Sequence, residues 1–259
     1  MSILSKRSTA AVLTTGLLAA LGTAAGVAPA AAIHGGKGTT VVDHPYVMSL
    51  QSAEGEAFCG GTLITPTKVL TAGHCVDEGL KPGGLRVVGG RTDLRTGKGT
   101  VAKVASIKIH PKYDVRTLTH DAAVVTLAKP MPYKTLPVAG PKDAALFDSG
   151  SPVTALGWGL TATSTPGVRL KSAALVLNPL AKCAPFTEPW ETAANKLCGT
   201  PAEGTRNSIC HGDSGGPLVS GGKLIGITSA GNSYCNDDFP FSIFTRSSAV
   251  TADLGVPAS

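Results

Sequence analysis

The last histidine of this chain is His211, and the serine of the run Gly212-Asp213-Ser214-Gly215-Gly216-Pro217 lies beyond it. A serine hydroxyl is a poor nucleophile at neutral pH. It becomes useful when a base removes its proton and nearby donors receive the oxyanion that forms. Glycines on both sides of Ser214 let the backbone turn sharply, exposing the hydroxyl and aiming NH groups at one point. Folds that present such a serine on a strand-to-helix elbow place its acid and its histidine downstream. No histidine remains downstream of Ser214, so that architecture is excluded and the base must come from earlier in the chain.

Two upstream stretches carry the right chemistry: Leu70-Thr71-Ala72-Gly73-His74-Cys75 and His120-Asp121-Ala122-Ala123-Val124-Val125. The order His74, Asp121, Ser214 is that of chymotrypsin-like double barrels and not of subtilisin. The chain resembles the secreted serine endopeptidases of the trypsin/chymotrypsin family. The resemblance rests on T-A-G-H-C around His74, the apolar run after Asp121, G-W-G at Gly157 to Gly159 and G-D-S-G-G-P around Ser214. These landmarks reach across nearly the whole chain beyond residue 32, and as an ordered set they are far more specific than any one of them. The family likeness implies an all-β fold of two six-stranded antiparallel Greek-key barrels with the active site between them. It implies peptide-bond hydrolysis through an acyl-enzyme on Ser214. Two other readings stay open: a catalytically silent binding module on a protease scaffold, and an acyl hydrolase acting mainly on esters.

Residues 1–32 read as an export signal, with or without a short propeptide. Lys6 and Arg7 make a basic start, Ala10 to Leu21 is an apolar stretch too short to span a bilayer, and Ala28-Pro29-Ala30-Ala31-Ala32 offers small residues to a signal peptidase. The alternative is an N-terminal membrane anchor. Removing 32 of 259 residues leaves 227, enough for one unit of two small barrels, about 33–140 and about 141–259. The formal charge of +6 falls to +4 without Lys6 and Arg7, and the basic residues are scattered. They read as solvated surface, so no nucleic-acid partner is expected, and none in the membrane after processing.

Short runs that alternate or are β-branched favour strands over helices. Those of the first half are Val47 to Gln51, Gly61 to Ile64, Lys68 to Thr71, Leu85 to Val88, Val101 to His110 and Ala122 to Leu127. A proline-rich connector runs from Lys129 to Pro141. Pro152 to Gly157, Leu170 to Leu177, Lys196 to Gly199, Pro217 to Val219, Lys223 to Ser229 and Ser242 to Thr245 follow, with a short helix expected around Ser247 to Leu254. All six cysteines lie beyond residue 32, an even number that fits an oxidising compartment and three disulfides. Sequence alone allows about 15 pairings. The resemblance selects Cys59 with Cys75, Cys183 with Cys198, and Cys210 with Cys235.

In the implied mechanism His74 takes the Ser214 proton and returns it to the leaving amine. Asp121 accepts a hydrogen bond from His74, and the resemblance adds Ser229 as its brace. Asp114, in a Pro-Lys-Tyr-Asp turn, is the rival acid and reads as a turn residue. The backbone NH groups of Gly212 and Ser214 are the expected oxyanion donors. The family likeness also implies that a new amine at Ile33 folds inward to pair with Asp213. Ile33-His34-Gly35-Gly36 departs from the family pattern in two ways: no Arg or Lys precedes Ile33, and His34 replaces the usual β-branched residue. Ser208, Gly231 and Ser242 are the expected specificity pocket. Ser208 stands where an Arg/Lys-specific relative has aspartate, so a non-tryptic, apolar preference is expected. Asp237 and Asp238 could bring a carboxylate near, or form a solvated turn. No cofactor and no metal are expected. Asp77-Glu78 alone is too sparse for a calcium loop, and no close C-x-x-C or H-x-x-x-H pair exists. Expected partners are a protein or peptide substrate and a proteinaceous inhibitor, with the chain itself a secreted monomer.

Overall fold

The computed structural model describes residues 33–77, 79–160, 167–184, 194–231 and 234–259; the expected export segment and Glu78 lie outside the described residues. A two-residue strand, β1 (Lys37–Gly38), opens the chain. Then β2 (Val47–Ser52), β3 (Ala57–Thr65), β4 (Lys68–Thr71), β5 (Leu85–Gly89), β6 (Thr100–Ile109) and β7 (Ala123–Leu127) close into an antiparallel barrel in the order β2-β3-β4-β7-β6-β5. Pairing of Met48 with Gly89 seals it. The second half repeats the plan. β8 (Pro152–Gly157), β9 (Lys171–Asn178), β10 (Lys196–Pro201), β11 (Pro217–Ser220), β12 (Lys223–Gly231) and β13 (Ser242–Arg246) run β8-β9-β10-β13-β12-β11, and Leu218 opposite Ala155 closes the ring. Each barrel thus joins its first, second and third strands to its sixth, fifth and fourth, the double Greek-key plan expected from the sequence. β1 escaped the sequence reading because two exposed residues carry no periodicity.

Alternation explains the outer strands. In β6, Ala102 and Val104 point inward while Val101, Lys103 and Ala105 face water, and in β9 Ala173, Leu175 and Leu177 are buried around an exposed Ala174. β4 and β7 are almost continuously buried. Their outer face is covered by Leu224 and Ile227 of the second barrel and by Val250, Leu254 and Val256 of the carboxyl-terminal segment, which share one cluster with Leu63, Leu70 and Val125. Each fully buried Leu or Ile contributes about 1.5–3 kcal/mol.

The two ends of the chain cross over. Residues 37 and 38 pair with Ser172 and Lys171 of β9, so the segment preceding the first barrel lies on the second. The carboxyl-terminal segment lies on the first, where Lys68 Nζ donates to the Gly255 carbonyl at 3.1 Å and Lys108 Nζ to that of Asp253 at 2.7 Å. The helix expected over Ser247 to Leu254 is split into a 3-10 turn (Ser247–Ala249) and one α-turn, α1 (Thr251–Leu254), because Val250 has φ −120° and ψ −11°.

The barrels meet where glycine removes the side chain. Gly60 N donates to the Ser214 carbonyl at 2.7 Å, and Thr71 Oγ1 donates to the Gly60 carbonyl at 2.8 Å. A Cβ on Gly215 would lie 2.2 Å from Thr71 Oγ1 and 2.5 Å from the Gly60 carbonyl oxygen, and Gly215 has φ +77°. Gly222 has a similar φ of +72° but open space around it. Gly215→Ala should therefore lose roughly 2–5 kcal/mol from strain plus overpacking, and Gly222→Ala about 1–2 kcal/mol from strain alone. Urea unfolding of the two variants compares them, and equal losses would contradict a tight seam.

The loop entering β7 carries a stacked histidine pair. The rings of His110 and His120 lie 4.8 Å apart at 13°, and Lys112 N donates to His110 Nδ1 at 3.2 Å, which requires that nitrogen to be unprotonated. Lys108, Lys112, Lys196 and Asp253 face the pair. Burial pushes both imidazoles below their ordinary value, with the neighbouring cations adding to it and Asp253 opposing. The unfolded chain therefore takes up protons first as pH falls below about 6.5, and these two groups withdraw stability there. A His110→Gln/His120→Gln variant should lose less stability than the parent between pH 7 and pH 5 in chemical denaturation; parallel curves would contradict this account.

Candidate active site

Asp121 sits at the end of a strained turn. Leu118 and His120 adopt φ of 52° and 51°, left-handed backbone that non-glycine residues rarely enter, before Ala122 and Ala123 lead into β7. The result is a fully buried carboxylate with three donors. Its Oδ1 accepts from the His74 backbone NH at 2.9 Å, and its Oδ2 accepts from His74 Nδ1 at 2.8 Å and from Ser229 Oγ at 2.7 Å. Gly73 makes room for this: a Cβ there would lie 3.2 Å from Asp121 Oδ1. Because a carboxylate accepts, His74 Nδ1 is the donor of that contact, and Nε2 is the ring nitrogen turned away from Asp121. Ser229 belongs to β12, so the acid and imidazole of the first barrel are locked to the second. Asp114 behaves as a turn residue, its Oδ1 accepting from Arg116 N at 2.8 Å.

Ser214 stands at the seam described above. Asp213 N donates to the Cys210 carbonyl and Gly216 N to that of Asp213, each at 3.0 Å, so the backbone folds back tightly around the serine. The next residue, Gly215, lies against Thr71 and Ala72. That contact brings the serine loop onto the segment that carries His74. The Ser214 and His74 side chains are not hydrogen-bonded to each other in this structure, and His74 Nε2 lies 3.8 Å from Cys75 Sγ. Gly212 has φ +91°, and a Cβ there would lie 3.1 Å from the Gly159 Cα.

Asp213 is buried and accepts from Gly159 N at 2.7 Å and from Cys210 N at 2.9 Å. Gly157 and Gly159 cradle it, since a Cβ on either would lie within 2.4 Å of a carboxylate oxygen. Among the described residues no cation pairs with it, and burial pushes its carboxyl up to about 7 against the pull of the two backbone donors. Ile33 is also buried, with φ 55°.

A cavity of about 180 Å³ opens beside Ser214, lined by Ile209, Cys210, His211, Ser214, Ser229, Ala230 and Gly231. Of the three residues expected to form it, Gly231 lines it directly. Ser208 and Ser242 are fully buried behind it, and Ser242 Oγ accepts from Ile209 N at 3.1 Å. Ile209 and His211 also line it, beside Ala230. Their signal in the sequence is their place beside Ser208, Ser229 and Gly212, but which neighbour turns its side chain inward depends on backbone that only the fold defines. No carboxylate lines the cavity among the described residues. Asp237 is held by His34 and Arg206, and Asp238 by Asn236. A second groove, on the His74 side, is lined by Phe58, His74, Cys75, Asp77, Gly79, Leu80 and Lys81.

Three disulfides join Cys59 to Cys75, Cys183 to Cys198, and Cys210 to Cys235, across separations of 16, 15 and 25 residues. Closing loops of that size is worth about 3 kcal/mol each in the chain-entropy account. Cys59 and Cys75 cluster with His74 within 4.8 Å, but sulfurs joined in a disulfide offer no thiolate to a metal.

The family model described as Trypsin matches residues 33–252. The chain is 37% identical to a protein named Trypsin from Saccharopolyspora erythraea over 200 residues, 77% of this chain and 86% of that one. It is 31% identical to Trypsin alpha from Drosophila melanogaster over 215 residues, 80% of each chain. Among solved structures, the VesB protease of Vibrio cholerae superposes with a TM-score of 0.71 at 26% identity, covering 85% of this chain and 66% of that chain. Human heparin binding protein superposes with a TM-score of 0.68 at 24% identity over 84% of this chain and 92% of its own, a likeness of fold alone. Three disulfides and these relatives point to an extracellular protein, and the family acts on protein substrates. The chain belongs to the trypsin family of serine endopeptidases.

Proposed function

We propose that the chain is secreted and cleaves proteins or peptides through an acyl-enzyme on Ser214, with an apolar preference at the primary side-chain cavity. The observation that carries this is the triply bonded Asp121 carboxylate, which holds His74 through its backbone NH and Nδ1 and leaves Nε2 as the nitrogen for the serine proton. In the substrate complex Nε2 takes the Ser214 Oγ proton as Oγ attacks the scissile carbonyl. The imidazolium, stabilised by Asp121, then gives that proton to the leaving amine as the tetrahedral intermediate collapses. Water repeats the cycle on the ester. Oxygen charge developing in both halves falls to the NH groups of Gly212 and Ser214, each worth about 3–4 kcal/mol. Hydrogen bonds of this kind are often long without substrate and tighten in the complex.

Although its relatives are named trypsins, this chain has Ile209 and Ala230 at the cavity and no carboxylate among the described lining residues. An Arg or Lys side chain entering there would lose its hydration without compensation. A fluorophosphonate probe should label the parent protein and not Ser214→Ala, and a peptide library should report cleavage after neutral apolar residues. A folded parent that resists the probe would favour a silent binding module. Turnover of esters with none of peptides would favour an acyl hydrolase, and cleavage confined to Arg and Lys would overturn the apolar preference.

The mature chain is proposed to begin at Ile33, freed by signal peptidase or by trimming of a short propeptide. Two observations support this. A β-branched residue at φ 55° costs about 1–3 kcal/mol, and removing the preceding residue abolishes that dihedral. Among the described residues Asp213 is buried without a cation, and the new amine would supply one. While unpaired, this carboxyl withdraws stability as pH rises: its contribution is complete below about 3.8 and lost through about 7. One extra residue before Ile33 should lower kcat/KM and probe labelling at pH 7 by at least about 100-fold. Full activity with a retained extension would end the idea.

A further inference from the structure

His34 stands where the family pattern has an apolar residue, and in this structure its polar groups reach Ser208 and Asp237, which lie behind two separate stretches that lead into the primary cavity. Its carbonyl accepts from Ser208 N at 3.1 Å, at the start of the stretch that continues through Ile209 and Cys210 along the cavity. Its ring, with the side chain only 12% exposed, sends Nε2 to Asp237 Oδ1 at 2.6 Å. Arg206 takes Oδ2 of the same carboxylate. Hydrogen bonds from His34 and Arg206 hold the Asp237 carboxyl below its usual range.

Asp237 lies between two fixed points of the opposite wall. On one side is Cys235, tied by its disulfide to Cys210. On the other is Phe241, whose carbonyl oxygen lies 3.1 Å from the site of a Cβ on Gly231 and whose ring shares a cluster with Ala230. Gly231 and Ala230 line the cavity. A displacement of Asp237 is therefore passed to the side-chain cavity by a short covalent and packed route, while Asp121 and His74 themselves lie on the first barrel.

We propose that His34 is a positioning residue for substrate side-chain recognition: by gripping Ser208 through its backbone and Asp237 through its ring, it sets the spacing between the two walls of the cavity. The inference rests on the endopeptidase reading, and it assigns the amino-terminal segment a role in specificity in addition to any role of its free amine. It also accounts for a charged residue at Asp237 that does not reach into the cavity.

The test separates recognition from chemistry. His34→Val keeps the bulk near the ring and removes the donor; it should raise KM for the preferred peptide about tenfold and flatten the preference among side chains, with kcat within twofold. His34→Gln, whose amide NH reaches about as far as Nε2, should recover most of the loss. Asp237→Ala should reproduce His34→Val, and the double variant should be no worse than either single one. Asp237 is 41% exposed, so this variant remains informative where His34→Val folds poorly. Equal falls in kcat for every substrate, no rescue by glutamine, or additive losses in the double variant would overturn the proposal. Calorimetric binding of the preferred peptide on a Ser214→Ala background reads the grip without turnover: His34→Val should weaken it about tenfold, and unchanged affinity overturns the grip alone. A parent protein that the fluorophosphonate does not label overturns the endopeptidase reading instead.

Discussion

Gly60 N donating to the Ser214 carbonyl, with Thr71 Oγ1 donating to the Gly60 carbonyl, is the contact on which the rest of the site depends. Neither barrel holds all of the groups proposed to react. His74 and Asp121 come from loops of the first and Ser214 from a tight turn of the second, so the proposed chemistry requires the two to be in register. Backbone-to-backbone approach is the most demanding way to hold such a joint, because it tolerates no side chain. Gly60 and Gly215 meet that demand: a Cβ on Gly60 would lie 3.0 Å from the Gly216 Cα across the joint. The glycines that mark the serine loop in the sequence thus serve the barrel interface as well as the exposure of the hydroxyl.

The buried Asp121 carboxylate shows how a costly group is made tolerable and directed at once. A carboxylate without water requires donors, and those present come from the His74 backbone, the His74 ring and the Ser229 hydroxyl. Removing any one would leave the charge undercompensated, which ties the orientation of the imidazole to the position of β12. Asp213 is the contrasting case. Two backbone donors do not offset its complete burial, so its carboxyl is pushed up to about 7, and the pairing with a new amine proposed above would relieve it.

The crossing of the chain ends extends this coupling. The amino-terminal segment lies on the second barrel and the carboxyl-terminal turn on the first, so each barrel is covered by the far end of the chain. Both crossings finish beside functional loops. His34 touches Asp237 and Ser208 behind the side-chain cavity, and Asp253 faces the stacked histidines next to Asp121.

Much of this was legible in the residues. Alternating and β-branched runs marked the twelve barrel strands to within a few residues, since the burial period of a half-covered strand is written directly in its side chains. Boundaries were less clear, as at β3, where exposed Ala57 and Phe58 belong to the strand through pairing with β2 rather than through any apolar signal. The order of His74, Asp121 and Ser214 and the glycines around the serine excluded the competing hydrolase architecture because covalent connectivity constrains topology. Tertiary structure decided the rest. It placed Ile209 at the cavity with Ser208 and Ser242 buried behind, gave Asp237 to His34 rather than to the cavity, and split the last helix at Val250. The sequence by itself determined which groups could react and the strands that hold them. Which side chain faces a cavity, and which carboxylate finds a partner, depended on contacts between residues hundreds of positions apart, such as the 203 that separate His34 from Asp237. Local propensity carries no information about such distances; packing of the two barrels does.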